Sequence, residues 1–167
     1  MLIGFFTIFI SGCGQDNNTD SNQKKEAITK VTNSKGGNDN IETLSKLISL
    51  PQEPLEAHWE LIESNQESQS LLVGLRFSKE VYENIVAKSE PLPGKVASLF
   101  PAAQFERWIP KEAQEQLKLE HTNGLINILN VSPRKPDLFT QTLSSPFIHG
   151  ELISFSDEFI LLSLYSM

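Results

Sequence analysis

Two apolar runs near the C-terminus, Phe147 to Phe155 and Phe159 to Tyr165, constrain this chain more than any other feature. Only Ser156-Asp157-Glu158 separates them, so they predict two antiparallel strands joined in a hairpin. A lone hairpin is marginal in water, and the rest of the chain must supply strands to pair with it and a layer to cover it. Candidates are present upstream. Ala57, Trp59 and Leu61 alternate with His58, Glu60 and Ile62, the pattern of a half-buried strand. After a turn-like stretch from Asn65 to Ser70, Leu71 to Phe77 is apolar except at Gly74 and Arg76, a hairpin partner for the first strand. Asn123-Gly124 signals a turn, and Leu125, Ile126, Ile128, Leu129 and Val131 form a third strand.

Helical signals lie between these runs. Ile41, Leu44, Leu47 and Ile48 share a face, with Asn40 as cap and Pro51 and Pro54 as stops. Ser78 caps a helix with Val81, Tyr82 and Ile85 on one side, and Lys111 to Leu119 reads as a short helix. Pro91, Pro93 and Gly94 mark one loop and Pro133 to Pro136 another, while Val96 to Trp108 suggests irregular apolar packing around short turns. Neighbouring strand pairs with segregated helices predict an α+β fold. The expected architecture is an antiparallel sheet of four or five strands with two or three short helices, two of them on one face.

Charge and composition divide the chain near residue 40. Between Gly14 and Asn40, Lys24, Lys25, Lys30 and Lys35 cancel Asp16, Asp20, Glu26 and Asp39, so the formal charge of −7 belongs to residues 41–167. An acidic domain is repelled by phosphate backbones and anionic headgroups, which argues against nucleic acid as a partner. The same polar residues, with Gly36-Gly37, cannot bury enough apolar surface to offset the entropy of ordering, and residues 13–40 read as a flexible tether. Residues 41–167 are long enough for a single globular domain with its own core.

The N-terminus explains the lone cysteine, which has no disulfide partner in the chain. Leu2 to Ile10 is an apolar run too short to span a bilayer, which takes ~20 residues, but long enough for the apolar region of a signal peptide. Ile10-Ser11-Gly12-Cys13 follows directly, and this resembles the lipobox of bacterial lipoproteins. The resemblance implies that residues 1–12 are removed as a signal peptide. Cys13 becomes the lipid-bearing N-terminus, with diacylglycerol on its thiol and often a further acyl chain, such as palmitate, on its amino group. Two or more acyl chains anchor stably where one is marginal. Gly14 and Gln15 stand where such proteins carry Asp for inner-membrane retention, which implies the outer membrane facing the periplasm if the cell is Gram-negative. The resemblance covers residues 1–13 and is silent on the domain.

No catalytic or cofactor motif accompanies it. His58, His121 and His149 lack metal-ligand spacing, so neither a metal nor a cofactor is expected, and the alternation on its strand turns His58 toward solvent. Glu53, Glu56, Glu60 and Glu63 fit a carboxylate pair for glycoside hydrolysis, whose requirement is a spatial separation, and fit spread surface charge equally well. His149 and Glu151, two apart around Gly150, share a strand face and form the one fragment on which a small envelope hydrolase could be built. Phe105, Arg107 and Trp108, near Phe100, read first as core and second as a partner-binding groove, since Trp, Phe and Arg favour interface centres. The expected function is a lipid-anchored, non-catalytic binding or accessory module with an envelope protein as partner.

Overall fold

The computed structural model describes residues 38–63, 69–94, 97, 99–141, 145–156 and 158–166. The expected signal peptide, Cys13 and the tether through residue 37 lie outside the described residues, as do most of the turn expected after Asn65 and the middle of the final hairpin loop at Asp157. The described part is an α+β fold with two antiparallel sheets. Helix α1 (Ile41–Leu47) precedes strands β1 (Glu56–Glu63) and β2 (Gln69–Arg76), followed by helix α2 (Lys79–Lys88). Strand β3 (Phe100–Pro101) runs straight into α3 (Ala102–Trp108) and α4 (Lys111–Gln114). Strands β4 (Leu119–Thr122) and β5 (Leu125–Ile128), helix α5 (Asp137–Thr140), and strands β6 (His149–Phe155) and β7 (Phe159–Tyr165) complete the order.

The main sheet has the order β1-β2-β7-β6, so the C-terminal hairpin inserts its last strand against the first hairpin. Central strands β2 and β7 are buried along most of their length, which is why both read as near-continuous apolar runs. Edge strand β1 alternates instead. Ala57, Trp59 and Leu61 point with Leu71, Val73, Leu75, Ile160, Leu162 and Leu164 into a first core closed by α1, α2, Phe139 and Phe147. The opposite face carries Leu72, Ile153, Phe155, Phe159 and Leu161 into a second core. There α3, α4 and the small sheet β3-β5-β4 supply Phe105, Trp108, Ile109, Phe100, Ile126 and Ile128. The main sheet is therefore the middle of three layers, and helices cover both of its faces rather than one.

Several boundaries move. The helix expected over Lys111 to Leu119 stops at Gln114, because Leu119 is needed opposite Ile128 in the small sheet. The strand expected over Leu125 to Val131 ends at Ile128 and belongs to that second sheet. The segment before Trp108, expected to be irregular, contains α3. Asn123 (φ 51°) and Gly124 (φ 76°) form the tight turn between β4 and β5, both in the left-handed region as a two-residue hairpin of this hand requires. Asn40 caps α1 as expected, its side chain accepting from the Thr43 amide at 2.8 Å, whereas Ser78 makes no side-chain cap on α2.

Candidate functional site

The alternation that buries Trp59 turns Glu56, His58 and Glu60 onto the opposite face of β1. Their cross-strand partners on β2 are Arg76, Gly74 and Leu72. A glycine opposite His58 leaves a gap, and α3 lays the Trp108 indole into it: a methyl built on Gly74 would meet Trp108 Cε3 at 3.4 Å. Trp108 thereby stacks on the His58 ring, centroids 6.3 Å apart and planes 16° off parallel. Arg107 sits over the indole at 5.8 Å. Gln104, one turn earlier, donates to Glu60 Oε2 at 2.9 Å and fixes the crossing of α3 over β1.

Charges close around this contact. His58 Nδ1 lies 2.6 Å from Asp39 Oδ1. With a carboxylate there, a neutral His58 carries its proton on Nδ1 and presents Nε2 as an acceptor. Arg76 is held by Glu56 and by Glu158 Oε2 at 3.4 Å, joining β1, β2 and the start of β7. The Glu56 hydrogen bond holds the guanidinium charge above its ordinary, already high, pKa. Glu56, His58, Arg76, Trp108, Ile109 and Phe159 border a shallow surface notch beside Gly74. A depression this shallow encloses nothing and offers only an outer surface to another molecule.

Compared with protein-family models, with curated proteins and with solved structures, the chain matches none. The site is read from its own geometry.

The residues expected from sequence are placed as follows. Phe105 is 1% exposed and Trp108 6%, both in the second core, so they form no open apolar groove. Arg107 is exposed and remains available to a partner. His58 does not face open solvent: it is half-buried between Trp108 and Asp39. His121 is exposed on β4. His149 and Glu151 share a face of β6 but differ in environment. The first is exposed with its ring 5.6 Å from Tyr165, and the second is 1% exposed. Between them Gly150 has φ 148°, and a side chain there would lie 2.2 Å from the Ser163 carbonyl oxygen. Glu53 and Glu56 are exposed, and Glu56 and Glu60 are engaged by Arg76 and Gln104; the Glu63 side chain lies outside the described residues. Among the described residues no group of three or more His, Cys, Asp or Glu side chains is arranged to hold a metal ion.

Sequence reasoning missed the Asp39–His58 pair and the Glu56–Arg76–Glu158 group. The one available signal was the ordering of Asp39 directly before the Asn40 cap, which fixes where that carboxylate can reach.

Proposed function

We propose that this chain is a lipid-anchored protein of a bacterial cell envelope whose domain is a non-catalytic binding module for an envelope protein. The observation that carries the anchoring is Ile10-Ser11-Gly12-Cys13 directly after a short apolar run. The module reading is supported by the face beside Trp108, where Glu56, His58 and Arg76 border a shallow notch, Asp39 holds His58, and the exposed Arg107 lies over the indole. A shallow surface with mixed charge suits contact with another protein better than enclosure of a small substrate. In a Gram-negative cell, Gly14 in place of Asp favours the outer membrane, with the domain in the periplasm.

Two substitutions test the two halves separately. Cys13→Ser removes palmitate incorporation and sends the chain from the membrane pellet to the soluble fraction. Arg107→Glu keeps the chain in the pellet and reduces the partners recovered by in-cell crosslinking. Undiminished palmitate labelling of the Cys13→Ser chain overturns the anchoring, and an unchanged crosslinking pattern for Arg107→Glu overturns the assigned face.

A further inference from the structure

We propose that Asn123 is a site of spontaneous deamidation whose isoaspartate product loosens the layer that carries Trp108. The described asparagines differ sharply in chemistry. Asn38, Asn40 and Asn130 use their side-chain oxygens to accept from the main-chain amides of Asn40, Thr43 and Lys118. Asn130 also donates to the Gln116 carbonyl, at 3.1 Å. Asn40, Asn84, Asn127 and Asn130 precede β-branched Ile or Val, whose side chain obstructs the following amide nitrogen. Asn123 precedes Gly124, both residues are exposed, and among the described residues no hydrogen bond holds the Asn123 side chain.

The reaction needs only water. Gly124 N attacks Asn123 Cγ; the N–Cγ bond forms, the Cγ–Nδ2 bond breaks, and the nitrogen leaves with the displaced proton as ammonia. Water then opens the cyclic imide. Attack at Cγ gives aspartate at position 123, and attack at the main-chain carbonyl carbon gives isoaspartate, with the chain now running through Cγ.

The fold sets both rate and consequence. The pairing of Thr122 with Leu125 and the left-handed torsions hold the closed turn, so ring closure proceeds through an opened hairpin end. The Gly124 carbonyl accepts from Ala102 N at 2.9 Å, which ties this turn to the first residue of α3. Isoaspartate lengthens the main chain by a methylene, and the turn can no longer keep both the β4–β5 register and the bond to Ala102. The helix that places Phe105 and Trp108 then loses its N-terminal fastening.

The test is to hold the full chain at mildly alkaline pH and map the tryptic fragment between Lys118 and Arg134 by mass spectrometry, with amide exchange read over Ala102–Trp108. Amide-to-acid conversion is expected at position 123 ahead of Asn127 and Asn130, about tenfold or more slower in the folded chain than in urea, as a turn that must open first requires. Exchange over α3 is expected to rise in the aged chain and not in an Asn123→Asp chain, which carries the charge without the extra methylene. Earlier conversion at Asn127 or Asn130, or unchanged exchange over α3 in the isoaspartate form, overturns the proposal.

Discussion

Trp108 of α3 packs over Gly74 with room for one methyl and no more. A methyl there meets Trp108 Cε3 at 3.4 Å and a Leu161 methyl at 3.6 Å, which is ordinary contact. Gly74→Ala is therefore expected to be tolerated, since the lost contact distance is small and the unfolded chain is stiffened. Gly74→Val adds branches with no space to enter and is expected to cost about 1–3 kcal/mol through overpacking. Urea midpoints of the two variants separate these outcomes, and tryptophan fluorescence reports the displaced indole. A second residue-scale effect lies in Glu90 and Lys135. Their hydrogen bond holds the Glu90 carboxyl below the usual carboxylate range and the Lys135 ammonium above its own. With a lowered folded-state value, the contribution of Glu90 is present above the ordinary carboxylate pKa and is lost as pH falls through the lowered one. Side-chain NMR titration is expected to show Glu90 titrating low, and to return it toward ordinary values in Lys135→Met. At this scale the sequence was least informative. The stack of His58 on Trp108 joins residues far apart in the chain, and the period-two pattern reports only that His58 lies opposite the face that Trp59 buries.

At the scale of elements, α2 is the helix most dependent on a distant residue. The carbonyls of its last turn outnumber the local donors, and the Arg134 guanidinium supplements them, donating to the oxygens of Val86 at 3.1 Å and Ser89 at 2.6 Å. The Arg134 backbone meanwhile bridges Leu152 on the outer edge of β6, at 2.8 and 2.9 Å, and also Pro91. One residue thus fastens a helix end and guards a sheet edge. Arg134→Met, which keeps the packing stem but removes the donors, is expected to lower stability by about 1.5–3 kcal/mol in chemical denaturation, the range for hydrogen bonds to a charged group. Arg134→Lys is expected to recover only part of this, because the flexible, strongly hydrated ammonium is less pre-organised than the planar guanidinium. Elements themselves were legible where one periodicity acted alone. α1, β1, β2, α2 and the β6–β7 hairpin follow from capping residues and apolar spacing. The region from Phe100 to Ile128 followed only in part, because strands of two or four residues and a helix of four are too short to express a period, and α3 begins without a side-chain cap. Packing against the second core fixes them instead.

For the molecule as a whole, the junction before α1 is fastened to the main sheet. Asn38 exchanges both backbone hydrogen bonds with Trp59, at 2.7 and 2.9 Å. Asp39 holds His58, and the Asn40 carbonyl accepts from Trp59 Nε1 at 3.2 Å. Composition alone assigns these three residues to the tether, yet all are fastened to β1. A chain starting at Asn38 is expected to unfold with the same midpoint as the longer chain. One starting at Ile41 is expected to be less stable by roughly 1–3 kcal/mol, the loss of a helix cap together with net hydrogen bonds. Equal midpoints for the two truncations in urea would place the boundary at residue 41 after all. What the sequence alone determined is local: an α+β composition of elements, an antiparallel hairpin at the C-terminus, an acidic domain, and the lipobox-like pattern at Cys13. Those properties are written in neighbouring residues, where capping, periodicity and charge act over a few positions. The tertiary structure alone decided that the main sheet is buried on both faces, that the segment after Phe100 builds a third layer, and that Asp39, His58, Arg76 and Trp108 meet. Such meetings depend on strand order and on which face each strand turns inward, and no short stretch of sequence records either.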